Sequence, residues 1–112
     1  MKRRTDPLPP KLARRAHALG DRLQKARLRR KLASELVAER IRVSRSTLSR
    51  LENGDPSVSL ATVLRLLSVY GLDSDIEVLA ADDEVGRRLQ DADLRTPQRA
   101  PRRRRSSEPS DG

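Results

Sequence analysis

The sequence contains no cysteine, tryptophan or phenylalanine, and it has one tyrosine and one histidine. Without cysteine, the chain cannot form a disulfide, a thiolate metal site or a thiol nucleophile. The lone histidine, His17, cannot hold a metal ion by itself, so neither a metal nor any other cofactor is expected. Any hydrophobic core must consist of Leu, Ile, Val and Ala, with Tyr70 as the one aromatic side chain.

Sequence features of enzymes and membrane proteins are also missing. There is no glycine-rich phosphate loop, no cluster of metal ligands and no base close to the many serines, which argues against an enzyme. No run of about 18 apolar residues predicts a transmembrane helix. The basic N-terminus lacks the apolar stretch of a secretory signal. We therefore expect a cytoplasmic protein without catalytic activity.

Positive charge is in excess and is unevenly placed. The net charge is +9. Residues 1–31 contain 12 Lys and Arg against 2 acidic residues, whereas residues 55–94 contain 3 against 9. Residues 95–112 are basic again, with 6 against 2. This polarity suggests one surface for a polyanion and another surface for a different partner.

A chain of 112 residues has room for one domain, which we place at residues 11–94. Residues 1–10 carry three prolines and several charges, and residues 95–112 lack any hydrophobic periodicity. Both flanks are therefore predicted to be disordered. The four consecutive arginines at residues 102–105 could bind phosphates without sequence specificity or contact a partner protein.

Apolar residues recur at spacings of three and four, which predicts an all-α fold. The first helix is predicted to start at residue 11, or near residue 19 if Gly20 weakens its N-terminal half. The later helices are predicted at residues 34–41, 44–54, 59–71 and 74–81, with a further turn or two at residues 83–91.

Cap residues support the third and fourth of these helices. Ser44 and Ser59 are good N-cap residues, each just before a helical pattern. Gly54 and Gly71 can adopt the left-handed conformation that commonly ends a helix. The third helix is therefore short, and its boundaries are predicted from both ends.

The most informative segment is residues 32–54, with the sequence LASELVAERIRVSRSTLSRLENG. Two helices of about eight residues are separated here by a turn of three or four residues. The second helix is polar on its outer side, where the expected exposed residues are Arg45, Ser46, Ser49 and Arg50. A short helix of this kind fits the major groove of DNA. Arginine is the side chain best matched to guanine, through paired bonds to O6 and N7.

The string VSRSTLSRLENG closely resembles the recognition-helix segment of the XRE family, which includes phage Cro proteins and lambda-type repressors. The resemblance extends over about residues 19–81 and implies a five-helix, lambda-repressor-like helix-turn-helix domain that binds double-stranded DNA. The base contacts that it implies are made by Arg45, Ser46 and Arg50, with Thr47 and Ser49 assisting. The phosphate contacts that it implies are made by Ser34, Asn53, Arg42 and Arg27. It also implies a structural salt bridge between Arg27 and Glu52.

Two residues depart from the family pattern. Arg42 stands where the family usually has a glycine in the turn, at a position that is often left-handed. Ala33 stands where the family usually has a Ser or Thr cap, so Ser34 is either the cap of its helix or a phosphate ligand.

One recognition helix reads few base pairs, so a homodimer with two such helices about 34 Å apart is expected. A two-fold dimer requires a palindromic operator with half-sites about one helical turn apart. The apolar residues predicted for the dimer or partner interface are Leu66, Val69, Tyr70, Ile76 and Leu79.

A narrower resemblance points to a protein partner. The strings LVAERI, GDPSVSL and DDEVGRRLQDADL are similar to HipB-like antitoxins, which are encoded beside HipA-type kinase toxins. This resemblance implies a repressor of its own operon that also binds a HipA-like toxin, using the acidic residues 73–84 and the apolar face of residues 60–79. The alternative is a protein-interaction module that acts mainly by binding a partner protein. Either would lie in the bacterial cytoplasm, with nucleoid association where it binds DNA.

Overall fold

The structure, a computed structural model, describes residues 7–95. These residues form the helices α1 (Pro10–Arg29), α2 (Ser34–Arg40), α3 (Arg45–Glu52), α4 (Leu60–Val69) and α5 (Glu84–Arg95), together with a 3-10 helix at Asp73–Val78. No strand occurs within residues 7–95, and the predicted all-α fold is confirmed. The predicted disordered arm and tail, including residues 102–105, lie outside the described residues apart from residues 7–10 and Arg95.

Serine caps start α3 and α4, as the sequence predicts. The Ser44 hydroxyl accepts a hydrogen bond from the Thr47 N–H at 3.0 Å, and the Ser59 hydroxyl accepts the equivalent bond at 3.1 Å. At α2 the cap position is occupied by Ala33, which makes no side-chain cap bond. Ser34 is the first residue of α2, so the structure excludes it as the cap.

The helices α1 to α4 all end in the same backbone motif. The second residue beyond the cap donates its N–H to the carbonyl five residues earlier, at 3.2, 3.0, 2.9 and 2.8 Å in chain order. This Schellman motif places the residue just beyond the cap in the left-handed region. That residue is a glycine after α3 and α4, as predicted, but it is Lys31 after α1 (φ 56°) and Arg42 after α2 (φ 62°). The left-handed backbone expected at Arg42 is present, on a residue type that disfavours it.

The first helix runs without interruption through Gly20. The alternative start near residue 19 is wrong, because α1 begins at Pro10, whose fixed φ suits the first position of a helix. Gly20 lies against the end of α3, where a Cβ on it would be 2.6 Å from the Leu51 carbonyl oxygen and 2.8 Å from the Gly54 nitrogen. The glycine therefore allows α1 and α3 to approach closely.

The core is aliphatic apart from Tyr70. Its most buried side chains belong to Val37, Ile41, Leu48 and Leu66, each at most 1% exposed. Leu66 (0% exposed) and Tyr70 (4%) lie inside the domain, so their predicted place in a dimer or partner interface is wrong. Their spacing marks an apolar face, and this face packs against the other helices of the same chain.

The chain after α4 differs from the prediction. In place of an α-helix over residues 74–81, it forms the shorter 3-10 helix, in which Ile76 is half-buried. Of the described residues, 7–78 form one compact unit and 79–95 form a second. The turn or two predicted in that second unit is the 12-residue helix α5. Leu79 is 66% exposed.

Candidate nucleic-acid interface

The helix-turn-helix segment consists of α2, a turn at residues 41–44, and α3. Ile41 is fully buried at the start of the turn, and Leu48 and Leu51 bury the inner face of α3. The close approach at Gly20 sets α1 against the end of the same helix. Because these contacts all lie on one side of α3, its opposite side faces solvent.

A mostly buried ion pair joins α1 to the end of α3. Arg27 donates from Nε and Nη2 to the two carboxylate oxygens of Glu52, at 2.8 and 3.0 Å, and from Nη1 to the Leu32 carbonyl at 3.1 Å. The side chains of Arg27 and Glu52 are 12% and 6% exposed. Hydrogen bonding to Glu52 holds the pKa of Arg27 above its usual value. The predicted salt bridge is present. Arg27 also lines a groove beside α3, and its predicted phosphate contact stays a prediction.

The residues predicted to contact bases lie together on the outer side of α3. Arg45, Ser46, Ser49 and Arg50 are exposed, and their spacing of one and four residues places them on one helical face. Thr47 is half-buried at the edge of this face. The outer face of α3, as we call these five residues, therefore offers two guanidinium groups and three hydroxyl groups.

A groove runs beside the outer face of α3. Its lining includes Gln24 of α1, Ser34 of α2, and Arg45 and Ser46 of α3. Glu35 lies 3.6 Å from Arg45, and both side chains are well exposed. A backbone hydrogen bond and then the charge of Arg45 hold the pKa of Glu35 below its usual value. Ser34 lines this groove, and its predicted phosphate contact stays a prediction.

Arg50 is held in place by two acceptors. Its Nη1 donates to Asp55 Oδ2 at 3.2 Å, and its Nη2 donates to Thr47 Oγ1 at 3.2 Å. Asp55 Oδ1 accepts from the Ser57 N–H at 2.9 Å and from the Ser57 hydroxyl at 2.7 Å. These bonds from Ser57, followed by the bond from Arg50, hold the pKa of Asp55 below its usual value. Arg50 is therefore an oriented cation whose side chain is still 49% exposed.

The other predicted phosphate contacts lie at the two ends of α3. Arg42 is exposed in the turn that precedes the helix. Asn53 is the exposed C-cap residue, with its Nδ2 3.5 Å from Ser49 Oγ. The structure thus places one predicted contact before the outer face of α3 and one after it.

Sequence reasoning missed Asp55 and Gln24. The signal for Asp55 is its position two residues beyond a helix cap, where the Schellman motif brings a side chain back onto the helix. The signal for Gln24 is its spacing of four residues from Gly20 and three from Arg27, which places it on the face of α1 that meets α3.

The chemistry of this surface is hydrogen-bond donation and positive charge. Within residues 7–95, no three His, Asp or Glu side chains are grouped so that they could hold a metal ion. No helix in the same range is long and apolar enough to cross a membrane.

Comparison with known proteins identifies the same region. A family model described as a helix-turn-helix domain matches residues 18–81, more than half of the 112 residues. No curated protein and no solved structure gave a match. The matched range contains α2, α3, α4, the 3-10 helix and the part of α1 that packs on α3. It agrees with residues 19–81, over which the sequence resembles a helix-turn-helix family.

Proposed function

The chain belongs to the family of helix-turn-helix domains, and on that premise we propose that it is a sequence-specific DNA-binding repressor of the XRE type. The observation that carries the proposal is the joint exposure of Arg45, Ser46, Ser49 and Arg50 on the outer face of α3. Such donors match base edges and phosphates in the major groove. The inner side of the same helix is fixed by the core, so these side chains project from a rigid support.

The two arginines carry most of the proposed base readout. An arginine that bonds to both O6 and N7 of guanine contributes about 1–3 kcal/mol of discrimination at that base pair. Arg45 and Arg50 lie five residues apart on the outer face of α3, so they would read different base pairs. Ser34, Arg42 and Asn53 would contact phosphates and fix the register of the helix on the duplex.

We further propose that the repressor binds as a homodimer. A single recognition helix reads few base pairs, and a second copy about 34 Å away doubles the sequence that is read. Of the residues predicted for the interface, Val69 and Ile76 are half-buried and Leu79 is exposed. These three remain candidates, since Leu66 and Tyr70 are excluded by their burial.

The experiment is a selection of bound sequences from a random pool of duplexes by the full chain. Fluorescence anisotropy then compares the selected duplex with a shuffled one across a salt series. We expect a palindromic site with half-sites about 10 base pairs apart. We also expect affinity at least about a thousandfold above that for the shuffled duplex. Equal and steeply salt-dependent binding to both duplexes would contradict the proposal.

A second proposed role is binding of a HipA-like toxin, and α5 favours it. Val85 and Leu89 are 60% and 67% exposed and lie one turn apart on the same face of α5. An exposed apolar pair on a helix rich in charged residues fits a groove in a protein partner. Co-purification with the product of an adjoining kinase-like gene, and its loss in the Val85→Asp variant, would support the role. A Val85→Asp variant that retains the partner would count against it.

A further inference from the structure

Asp55 places a negative charge beside a surface that we propose to bind DNA. Its side chain is 29% exposed, and its Oδ2 lies 3.2 Å from Nη1 of Arg50. Because DNA is a polyanion, a carboxylate at this position repels the phosphates. The ion pair with Arg50 itself adds little to folding, because a pair this exposed stabilises a protein very little. Asp55 also accepts two hydrogen bonds from Ser57 that hold the turn, but these bonds use Oδ1 and do not explain the bond from Arg50 to Oδ2.

The end of α3 explains how Asp55 reaches Arg50. In a Schellman motif, the residue two beyond the cap lies against the residue five positions earlier, and this contact is usually apolar. After α2 and α4 the corresponding residues are Val43 and Leu72, which pack against the core. After α3, Asp55 takes that position, and its contact with Arg50 is an ion pair.

The acceptors on both sides of the Arg50 guanidinium are themselves held. On one side, Asp55 is fixed by the two hydrogen bonds that it accepts from Ser57. On the other side, Thr47 Oγ1 accepts from the Ser44 hydroxyl at 3.1 Å, and Ser44 caps the same helix. The Arg50 guanidinium is therefore hydrogen-bonded to two acceptors, Asp55 and Thr47, and each acceptor is itself held by further hydrogen bonds.

This arrangement leaves the donors that a base needs. A guanidinium has five N–H groups, two of them on each terminal nitrogen. Asp55 and Thr47 each occupy one terminal nitrogen of Arg50 once, so each of these nitrogens keeps one N–H. Guanine accepts two N–H groups, one at O6 and one at N7, and Arg50 keeps that number on its two terminal nitrogens.

We propose that Asp55 is a positioning residue for sequence readout. It sets the orientation of the Arg50 guanidinium and restrains it from pairing with phosphates at random sequences. The inference rests on the proposed DNA-binding function and deepens it, since it assigns the ratio of specific to random binding to a residue that does not read a base itself.

The test is the Asp55→Asn variant of the full chain. The asparagine carbonyl oxygen can still accept from Ser57, so the turn is retained, but the amide group cannot accept from Arg50 at the former Oδ2 position. We expect affinity for the duplex selected by the wild-type chain to fall about two- to tenfold, because Arg50 must then be ordered on binding. Affinity for a shuffled duplex should rise, and its log–log salt dependence should steepen by up to about 0.9.

Two controls separate positioning from charge alone. Asp73→Asn makes the same charge change on the 3-10 helix, and we expect it to leave the ratio of specific to shuffled affinity at the wild-type value. In an Arg50→Ala background, Asp55→Asn should not change that ratio further, because the residue through which it acts is gone.

The outcomes are distinct. An unchanged ratio in Asp55→Asn, or an equal fall with and without Arg50, would overturn the positioning role while the proposed function stands. A wild-type chain that enriches no sequence from the random pool would overturn the proposed function, and this inference with it.

Discussion

Arginine–carboxylate pairs lie on both sides of α3, and the pair Arg27–Glu52 on the inner side differs in its surroundings from the pair Arg50–Asp55 on the outer side. Arg27 and Glu52 share two bonds of 2.8 and 3.0 Å on the inner side, with side chains 12% and 6% exposed. Arg50 and Asp55 share one bond of 3.2 Å on the outer side, with side chains 49% and 29% exposed. The buried pair Arg27–Glu52 joins α1 to α3. The exposed pair Arg50–Asp55 instead orients a hydrogen-bond donor that faces solvent.

Removal of the inner carboxylate should have the largest effect on stability. Glu52→Ala leaves the buried Arg27 without its partner, which should lower the free energy of unfolding by about 3–5 kcal/mol. Urea denaturation followed by circular dichroism measures this change. Asp55→Asn breaks the outer pair and should lower it by less than about 1 kcal/mol. Similar losses of unfolding free energy in Glu52→Ala and Asp55→Asn would show that the inner pair stabilises the fold no more than the outer pair does.

The next largest effect is expected where the inner side of α3 meets α1. Gly20→Ala places a Cβ 2.6–2.8 Å from backbone atoms of three residues at the end of α3. Backbone atoms cannot move aside as a flexible side chain can, so the added methyl group overpacks this contact. Alanine also has a higher helix propensity than glycine, but this gain is smaller. We therefore expect the free energy of unfolding to fall by about 2–3 kcal/mol.

Gly71→Ala is the matched control for Gly20→Ala. Its Cβ would meet nothing within 4 Å, but its φ of +73° disfavours a side chain. The expected loss is about 1 kcal/mol from backbone strain alone. A smaller loss at Gly20 than at Gly71 in thermal denaturation would argue against the close approach of α1 and α3.

The ionisation of Tyr70 tests how well water is excluded from the core. Burial, followed by the charge of Glu52, raises the pKa of Tyr70 from 10.0 to about 12. Its hydroxyl lacks a hydrogen-bond partner among the described residues. Because the folded chain favours the neutral phenol, this contribution to stability is complete below pH 10. It is lost as the pH rises from 10 towards 12, by about 2–3 kcal/mol in total.

The titration of Tyr70 can be measured without interference, since the sequence has one tyrosine and no tryptophan. Ultraviolet absorbance should show ionisation near pH 12 in the folded chain and near pH 10 in urea. Glu52→Ala, where it remains folded, should move the folded value downwards. A folded value close to 10 would mean that the phenol is in contact with water.

The smallest effect on stability is expected on the outer side. Arg50→Ala should change the free energy of unfolding by less than about 1 kcal/mol. The same variant should lose about 1–3 kcal/mol of binding to the selected duplex and relax specificity at one base pair. Anisotropy on duplexes substituted at each position tests this. Equal losses on selected and shuffled duplexes would show that Arg50 contacts a phosphate instead.

The local signals in the sequence predicted most of the helix boundaries. Ser44, Ser59, Gly54 and Gly71 are where their cap chemistry places them, because that chemistry depends on the residue and its nearest neighbours. Gly20 was misread because helix propensity is also local, whereas its function in the fold is to allow contact with a helix more than 20 residues later in the chain.

Burial and pairing could not be predicted in the same way. An apolar spacing marks Leu66 and Tyr70 as members of one face but does not say whether the chain or a partner covers it. The hydrogen bond from Arg50 to Asp55 depends on the direction the chain takes after Gly54, which returns Asp55 to the helix it has just left. Such contacts across a helix end depend on the backbone geometry of the turn, which cannot be predicted from the residue types alone.

The left-handed residues Lys31 and Arg42 are positions where substitution by glycine should raise the melting temperature. Each holds a side chain where glycine relieves about 1 kcal/mol of strain. In a domain of this size that amount is worth roughly 4–8 °C in melting temperature. In a lineage that adapts to warmer conditions, Lys31→Gly would be the first such substitution, because no DNA contact is proposed for Lys31. At Arg42, for which a phosphate contact is proposed, the same step would also remove a cation beside the outer face of α3, so the gain in heat resistance would be accompanied by a loss of the proposed DNA affinity.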